Sequence, residues 1–152
     1  MLSVTYRNVV ITLCNRMLLV MLLLVARPMH ALFITSMDDV WMFEVACRTS
    51  RVNFYTANGA LLARANEGRL MSASGSVEGE IRQCEKIINR DGRLLARRDS
   101  NGRYYLADGS ILGRIEQDRI YARDGRLVLR IDQSAVYDAS GRLQARFIKN
   151  AM

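Results

Sequence analysis

Tyrosine and arginine recur in this sequence at spacings that could support the binding of an anion. A tyrosine stands four residues before a glycine in four places, and an arginine stands five residues after a glycine in five places. Arginine stacks on aromatic rings and grips carboxylate groups through paired hydrogen bonds. The residues that we predict to form a candidate binding face are Tyr105, Tyr121, Tyr137, Arg97, Arg114, Arg130 and Arg146.

Catalytic chemistry has less support in the sequence. The only histidine, His30, lies in an N-terminal segment that we expect to be removed, so Ser-His and Cys-His nucleophile pairs cannot form in the remaining chain. Asp38 and Asp39, with Glu44 and Glu80, are the acids that could hydrolyse a glycosidic bond. We predict no catalytic residue, no metal and no cofactor, and keep an acid-residue carbohydrate hydrolase as the alternative.

The two remaining cysteines, Cys47 and Cys84, lie 37 residues apart and lack the paired spacing of a zinc site. In an oxidising compartment they could form one disulfide. Two buried thiols are the alternative, because the sequence does not show whether their Cα atoms come within bonding range.

The elements that must position these residues repeat along the chain. Six glycines recur at spacings of 16 or 17 residues, and Asn, Asp or Ser precedes each of them. Asn-Gly and Asp-Gly between apolar runs indicate β-hairpins with two-residue type I′ turns. The turn glycines are Gly59, Gly75, Gly92, Gly109, Gly125 and Gly141.

Pairing across a two-residue turn places the apolar residues five before and two after each glycine on one face. A third position, four after the glycine, holds Ala or Gly in five of six copies, as with Ala63 in the first. Small residues at one level predict strands that crowd together around an axis. The Tyr and Arg positions then fall on the opposite face, as diagonal neighbours within each hairpin.

A single hairpin is marginally stable in water, so each repeat needs its neighbours. We predict an all-β fold of six tandem β-hairpins over residues 52–148, followed by a tail at 149–152. Closure into a ring around a pseudo-symmetry axis is favoured over a linear stack, because closure removes open sheet edges.

The repeat unit resembles that of the bacterial β-flower proteins, which reads roughly Tyr-Asp-x-x-Gly-Arg-x-x-Gly-Arg-Ile. The segments VYDASGRLQARF (Val136 to Phe147) and YYLADGSILGRIE (Tyr104 to Glu116) match it best. The resemblance covers roughly two thirds of the chain, and it implies petal-like hairpins around an axis and export, without any catalytic residue. Those proteins have four or five hairpins, whereas this chain has six glycine-centred units.

The N-terminus has the features of a secretory signal peptide. A basic start, the apolar run Met17 to Ala26 and the following Pro28 predict a signal peptide over residues 1–31. The alternative is an uncleaved membrane anchor from Val9 to Ala26, although Arg16 interrupts that span. Removal takes three arginines and no acid, which lowers the formal charge from +7 to +4.

Residues 32–51 form a leading segment before the repeats. Val40, Met42 and Val45 alternate with more polar neighbours, which predicts one or two strands. Trp41 is expected either to plug one end of the ring or to stand exposed as an anchor, and burial is the commoner environment for tryptophan.

Together these patterns predict a non-catalytic exported repeat domain that is a structural or binding module of the bacterial cell envelope. We expect it in the periplasm, at the outer membrane or outside the cell. The Tyr/Arg columns either pack between petals, with arginine stems on apolar surface, or bind an anionic glycan, lipid or protein. We expect no nucleic acid partner, and membrane contact only if residues 9–26 are retained, in which case the protein is a membrane-tethered interaction module.

Overall fold

The computed structural model describes residue 34 and residues 36–150. The predicted signal peptide or anchor at residues 1–31 lies outside the described residues. Within the described residues, a 3-10 helix and one α-helix precede twelve β-strands. The elements are the 3-10 helix Met37–Asp39, α1 (Trp41–Cys47), β1 (Arg51–Thr56), β2 (Leu61–Asn66), β3 (Arg69–Ser72), β4 (Val77–Arg82), β5 (Lys86–Asn89), β6 (Leu94–Arg98), β7 (Arg103–Leu106), β8 (Ile111–Glu116), β9 (Arg119–Ala122), β10 (Leu127–Asp132), β11 (Ala135–Asp138) and β12 (Leu143–Lys149).

The twelve strands form one closed antiparallel barrel, as the repeat spacing predicts. Each strand pairs with the next along the chain, and β1 pairs with β12 to close the ring. At this seam Phe54 lies opposite Phe147. Between Phe54 and Phe147, all of which the structure describes, no residue is helical. The all-β fold of tandem hairpins closed around an axis is therefore confirmed.

The glycine turns differ from the predicted type I′ turns. In the fourth copy the Leu106 N–H donates to the Ser110 carbonyl and the Gly109 N–H donates to the Leu106 carbonyl, both at 2.9 Å. Gly109 has a φ of +87°, whereas Asp108 is not among the residues with positive φ. This is a three-residue loop, a type I turn followed by a left-handed glycine, and Asp108 Oδ1 stabilises it by accepting the Ser110 N–H.

The extra loop residue shifts the pairing and corrects the predicted assignment of faces. Tyr104 lies opposite Gly113, but Tyr105 lies opposite Ile111, so Leu112 is an additional residue in a β-bulge. A one-residue shift moves a side chain to the other face of the sheet. The residues two after each glycine therefore share the outer face with the tyrosines, and every repeat has the same bulge. These residues are Leu61, Val77, Leu94, Ile111, Leu127 and Leu143.

The leading segment enters the barrel as helix, so the predicted strands at Val40, Met42 and Val45 are wrong. Three alternating apolar residues are too few to separate strand from helix periodicity. A capping box at Ser36 starts the 3-10 helix, and α1 is buried on most of its circumference, with Trp41, Phe43 and Val45 in the core. The two helices contact β1, β8, β9 and β10.

Trp41 plugs the interior, in agreement with one of its two expected roles. It is 6% exposed, and its ring meets that of Phe54 edge-on with centroids 5.3 Å apart. An eight-stranded barrel is filled by its own side chains. Twelve strands enclose a wider interior, and here the helical segment fills it together with the inward rows of the strands. We call residues 36–47 the plug.

Among the small residues that are predicted to crowd near the axis, Gly113 makes room for the plug. A Cβ atom added at Gly113 would lie 2.5 Å from Met37 Cγ and would also clash with the Tyr121 carbonyl oxygen. Glycine at this position therefore permits Met37 to reach the wall of the barrel.

In the described part of the chain, no helix is long and apolar enough to cross a membrane.

Candidate functional site

The arginine and tyrosine columns meet on the outer face of the barrel, but between repeats rather than within hairpins. In the last four repeats the arginine lies directly opposite the tyrosine of the next repeat, as for Arg97 and Tyr105. The guanidinium Cζ lies over the ring centroid at 4.4 Å for Arg97 and Tyr105, 4.8 Å for Arg114 and Tyr121, and 5.7 Å for Arg130 and Tyr137. The predicted diagonal contact within each hairpin is therefore corrected to a direct cross-strand pair.

The same relation continues across the seam of the barrel. Arg146 on β12 lies opposite Tyr55 on β1, so the first repeat completes the row begun by the later ones. The second and third repeats depart from it, with Met71 and Ile88 in the tyrosine column. The Tyr/Arg face therefore covers β6 to β12 and β1, and is interrupted over β3 to β5.

A wider row of cations lies at the level of these arginines. The outward residues six before and five after each glycine face one another across the hairpins, and ten of these twelve positions carry a charge. Nine are basic and one, Glu80, is acidic. We call the nine the arginine belt: Arg64, Arg69, Lys86, Arg97, Arg103, Arg114, Arg119, Arg130 and Arg146.

Three cross-strand pairs within the belt join like charges. Lys86 lies opposite Arg97 and Arg103 opposite Arg114. Arg130 lies opposite Arg119 in the same way. Like charges directly opposite one another destabilise a sheet, so this arrangement costs folding free energy unless an anion lies between them. Six consecutive strands, β5 to β10, carry a cation in this row, and each like-charge pair is offset by two residues from the next.

The protein itself supplies few counter-charges to the belt. Among the described residues, Arg114 is the one belt residue in an ion pair, with its Nε 2.6 Å from Glu116 Oε1. The Tyr105 hydroxyl donates to Asp99 Oδ2 at 3.2 Å. A backbone hydrogen bond from Arg103 is the main cause that holds the pKa of Asp99 below its ordinary value. Arg97, Arg130 and Arg146 are exposed.

A row of apolar and aromatic side chains borders the belt on the side of the glycine turns. Each tyrosine-column residue lies opposite the residue two after its glycine, as Tyr121 lies opposite Leu127. Val77 and Ile111 in this row are 48% and 46% exposed. We call the row the apolar girdle: Tyr55, Leu61, Met71, Val77, Ile88, Leu94, Tyr105, Ile111, Tyr121, Leu127, Tyr137 and Leu143.

A buried polar cluster joins the plug to the barrel wall. The Tyr104 hydroxyl donates to Glu44 Oε1 at 2.5 Å, and Arg98 Nε lies 2.8 Å from the same oxygen as an ion pair. Arg98 Nε is not aligned as a hydrogen-bond donor there, so the contact is chiefly electrostatic. Burial and the neighbouring Glu44 carboxylate raise the pKa of Tyr104 above its ordinary value. Arg48, at the end of α1, pairs with Asp118 and donates to the Gln117 carbonyl oxygen at 2.8 Å.

This cluster was not identified from the sequence, although a signal for it exists. Arg98 and Tyr104 stand at inward positions where the other five copies carry apolar residues. Their partner Glu44 comes from the plug, so the three residues become a group only when the helix lies inside the barrel. The departures of single repeats from the shared pattern are therefore the signal that could have located it.

The structure joins Cys47 to Cys84 in a disulfide with their Cα atoms 5.6 Å apart. Cys47 ends α1, and Cys84 lies in the turn between β4 and β5, so the bond ties the plug to the wall.

The turn glycines lie where the repeat predicts, and each has a positive φ with open space around the position of a Cβ atom. Within the described residues, no group of three or more His, Cys, Asp or Glu side chains could hold a metal ion.

The acids considered for hydrolysis are not gathered in one place. Asp38 and Asp39 belong to the 3-10 helix, where Ser36 Oγ lies 3.2 Å from Asp38 Oδ2 and Asp39 Oδ2 accepts the Ser36 N–H at 3.1 Å. Glu44 belongs to the buried cluster, and Glu80 pairs with Arg82 on the outer face. These carboxylates therefore lie in three separate surroundings.

Glu78 has an unusual environment for a charged side chain. It is 9% exposed, and both carboxylate oxygens are buried without a hydrogen-bond partner among the described residues. It occupies the bulge position, and the corresponding residues of the other repeats are Leu62, Leu95, Leu112, Val128 and Gln144. A buried carboxylate without partners costs folding free energy.

Comparisons with protein families, with curated proteins and with solved structures give no match to this chain. The resemblance to the β-flower proteins, which the repeat motif indicates, therefore stays a prediction. The closed ring of hairpins is consistent with it.

Proposed function

We propose that this protein is a non-catalytic, exported binding module of the bacterial cell envelope that holds an anionic partner on the arginine belt. The observation that carries the proposal is the set of three like-charge pairs on β5 to β10. A partner with negative charges would convert this repulsion into attraction, and the complex would gain from every belt residue that it contacts.

The position of the Tyr/Arg pairs supports binding over a purely packing role. The repeats associate through strand pairing and through their inward rows, which form the core with the plug. The Tyr/Arg pairs lie on the other face of the sheet, and Arg97, Arg130 and Arg146 are exposed there. The tyrosine rings hold the guanidinium groups in place before a partner arrives, which lowers the entropy lost on binding.

The alternative of a carbohydrate hydrolase has less support. Such an enzyme needs two carboxylates that face each other across the scissile bond. Asp38 and Asp39 interact with Ser36 in the capping of the 3-10 helix, and the other candidate acids lie elsewhere. Export, by contrast, rests on residues 1–31 alone, and retention of residues 9–26 would make the protein a membrane-tethered module.

A screen of immobilised acidic glycans, envelope lipids and acidic proteins tests the proposal. The parent protein is compared with the triple variant Arg114→Gln, Arg130→Gln, Arg146→Gln. A matched control changes Arg93, Arg123 and Arg126 to Gln, which removes the same charge from exposed positions in the glycine turns. We expect parent and control to bind the same anionic probes and the belt variant to lose at least tenfold in affinity. Equal binding by all three proteins would contradict the proposal.

A further inference from the structure

Resting on the proposed function, we infer that the partner of the arginine belt is a linear acidic polysaccharide that lies along the circumference of the barrel. The belt runs across the strands and not along them. Its six consecutive cations, on β5 to β10, form three pairs, and each pair is offset by two residues from the one before, so the row spans about 27 Å at ordinary strand geometry. A chain of charges would therefore follow the barrel wall around its axis.

The charges of this row repeat with the period of the hairpin. Arg97, Arg114 and Arg130 occupy equivalent positions two strands apart, each offset from the last by two residues along the strands, which is about 12 Å at ordinary strand geometry. A polysaccharide with one carboxylate or sulfate in each disaccharide presents anions at a regular separation of similar length. One polymer could therefore bind successive belt arginines without a change of conformation.

The guanidinium groups are suited to carboxylates in this arrangement. Among the described residues, neither Arg97 nor Arg130 has a carboxylate within ion-pair distance, and each lies over a tyrosine ring. Stacking engages the face of a guanidinium, whereas its N–H donors lie at the edge and bind carboxylates in pairs. The apolar girdle lies directly beside the belt, where the C–H faces of sugar rings can pack against Tyr121 and Leu127.

Two other anionic partners fit this surface less well. The six consecutive cations of the belt alone cover half of the twelve strands, so a flat membrane tangent to the barrel would meet only a few belt cations at once. Single-stranded nucleic acid is held by bases that stack on open aromatic rings. Here the rings of Tyr105, Tyr121 and Tyr137 carry the protein's own arginines.

Isothermal titration calorimetry of the full exported chain tests this inference. The probes are oligogalacturonates and heparin-derived oligosaccharides, each from disaccharide to decasaccharide, with neutral cello-oligosaccharides and phosphatidylglycerol vesicles for comparison. We expect affinity to rise with oligomer length until the oligomer spans the six strands. Arg97→Gln, Arg114→Gln or Arg130→Gln should each lower the affinity for the longest oligomers about tenfold. Each should have a much smaller effect on disaccharides, which can bind at the remaining positions.

The turn variant Arg93→Gln, Arg123→Gln, Arg126→Gln is the matched control and should bind like the parent. Affinity that does not depend on oligomer length, or vesicles bound as tightly as the longest oligomers, would overturn the linear polysaccharide while the anionic belt stands. If the belt variants and the turn variant bind every anionic probe equally, both the inference and the proposed function are wrong.

Discussion

Glu78 shows how one residue can depart from the pattern of its repeat at a cost to stability. Its carboxylate is buried and unpartnered within the described chain, at a bulge position that holds leucine in three other copies. We predict that Glu78→Leu raises the free energy of unfolding by about 1–3 kcal/mol, because it removes an unpaired polar group from the interior. Urea titration followed by the fluorescence of Trp41 measures the change.

Glu80→Leu is the matched control for Glu78→Leu, since Glu80 is two residues away on the outer face and pairs with Arg82. It should change stability by less than about 1 kcal/mol, as is usual for exposed ion pairs. A loss of stability in Glu78→Leu would show that the carboxylate has a partner that the folded chain needs.

Tyr104 is expected to make stability depend on pH in the alkaline range. Burial and Glu44 raise its pKa in the folded protein, while the unfolded chain has the ordinary value of about 10. Above that pH the unfolded state loses a proton that the folded state retains, so stability falls as pH rises. The slope for one such group approaches about 1.4 kcal/mol per pH unit.

We predict that Tyr104→Phe is less stable than the parent at neutral pH, by about 1–3 kcal/mol, because Glu44 loses a hydrogen-bond donor. The variant should also lose less stability between pH 9 and pH 11 than the parent does. Urea titrations at several pH values check both statements. Equal alkaline slopes in the two proteins would contradict the role assigned to Tyr104.

At the scale of elements, two glycines allow the cost of a left-handed backbone to be measured separately from the cost of a packing clash. Gly109 has a positive φ and nothing within 4 Å of an added Cβ, whereas Gly113 faces Met37 and a backbone oxygen. We predict that Gly109→Ala costs about 1–2 kcal/mol from the left-handed conformation alone. Gly113→Ala should cost more, about 3 kcal/mol, because the plug and β9 must move.

Thermal unfolding of the two glycine variants gives the comparison, and Gly109→Asn is the control. Asparagine tolerates the left-handed region, so it should be closer to the parent than alanine is. If Gly109→Ala and Gly113→Ala were equally stable, the contact of Met37 with the wall would not contribute to the fold.

The spacing of the glycines was enough to predict the number and order of the strands, because an Asp-Gly or Asn-Gly pair between apolar runs has few other uses. The turn type was not predictable from the same residues. Asp-Gly suits both a type I′ turn and a type I turn followed by a left-handed glycine. The difference is a single residue, and it decided that Ile111 and Leu127 lie on the outer face.

The candidate site was also predictable only in part. The Tyr and Arg columns follow from the repeat, but the partner of each arginine depends on the register between repeats, which the bulge sets. The belt cations Arg103 and Arg119 were missed although each stands two residues before a tyrosine of the same strand, and alternation along a strand places both on one face. The buried cluster was missed because Glu44 lies in a segment too short to show helical periodicity.

At the scale of the whole molecule, the disulfide connects the plug to the barrel. Cys47 and Cys84 close a loop of 37 residues in sequence. We predict that the double variant Cys47→Ser, Cys84→Ser loses about 4 kcal/mol of unfolding free energy, since the bond restricts the unfolded chain. Urea titration of parent and variant under oxidising conditions measures it.

The same double variant should bind the anionic probes as the parent does while it is folded, because neither cysteine belongs to the arginine belt. Parent protein treated with a reductant should reproduce the stability of the variant. A parent whose stability is unchanged by reductant would show that the two thiols are not joined in solution.

Closure of twelve strands around a helix has a consequence for how this gene can change. Near-identical units in tandem invite recombination that deletes or duplicates one copy. A ten-stranded product would have a smaller bore, and an α-helix with its side chains is about 10 Å across. Met37, Trp41 and Phe43 would then have no room. The number of repeats and the size of the N-terminal segment are therefore expected to evolve together. Relatives with fewer repeats are expected to have smaller side chains in the segment that fills the barrel.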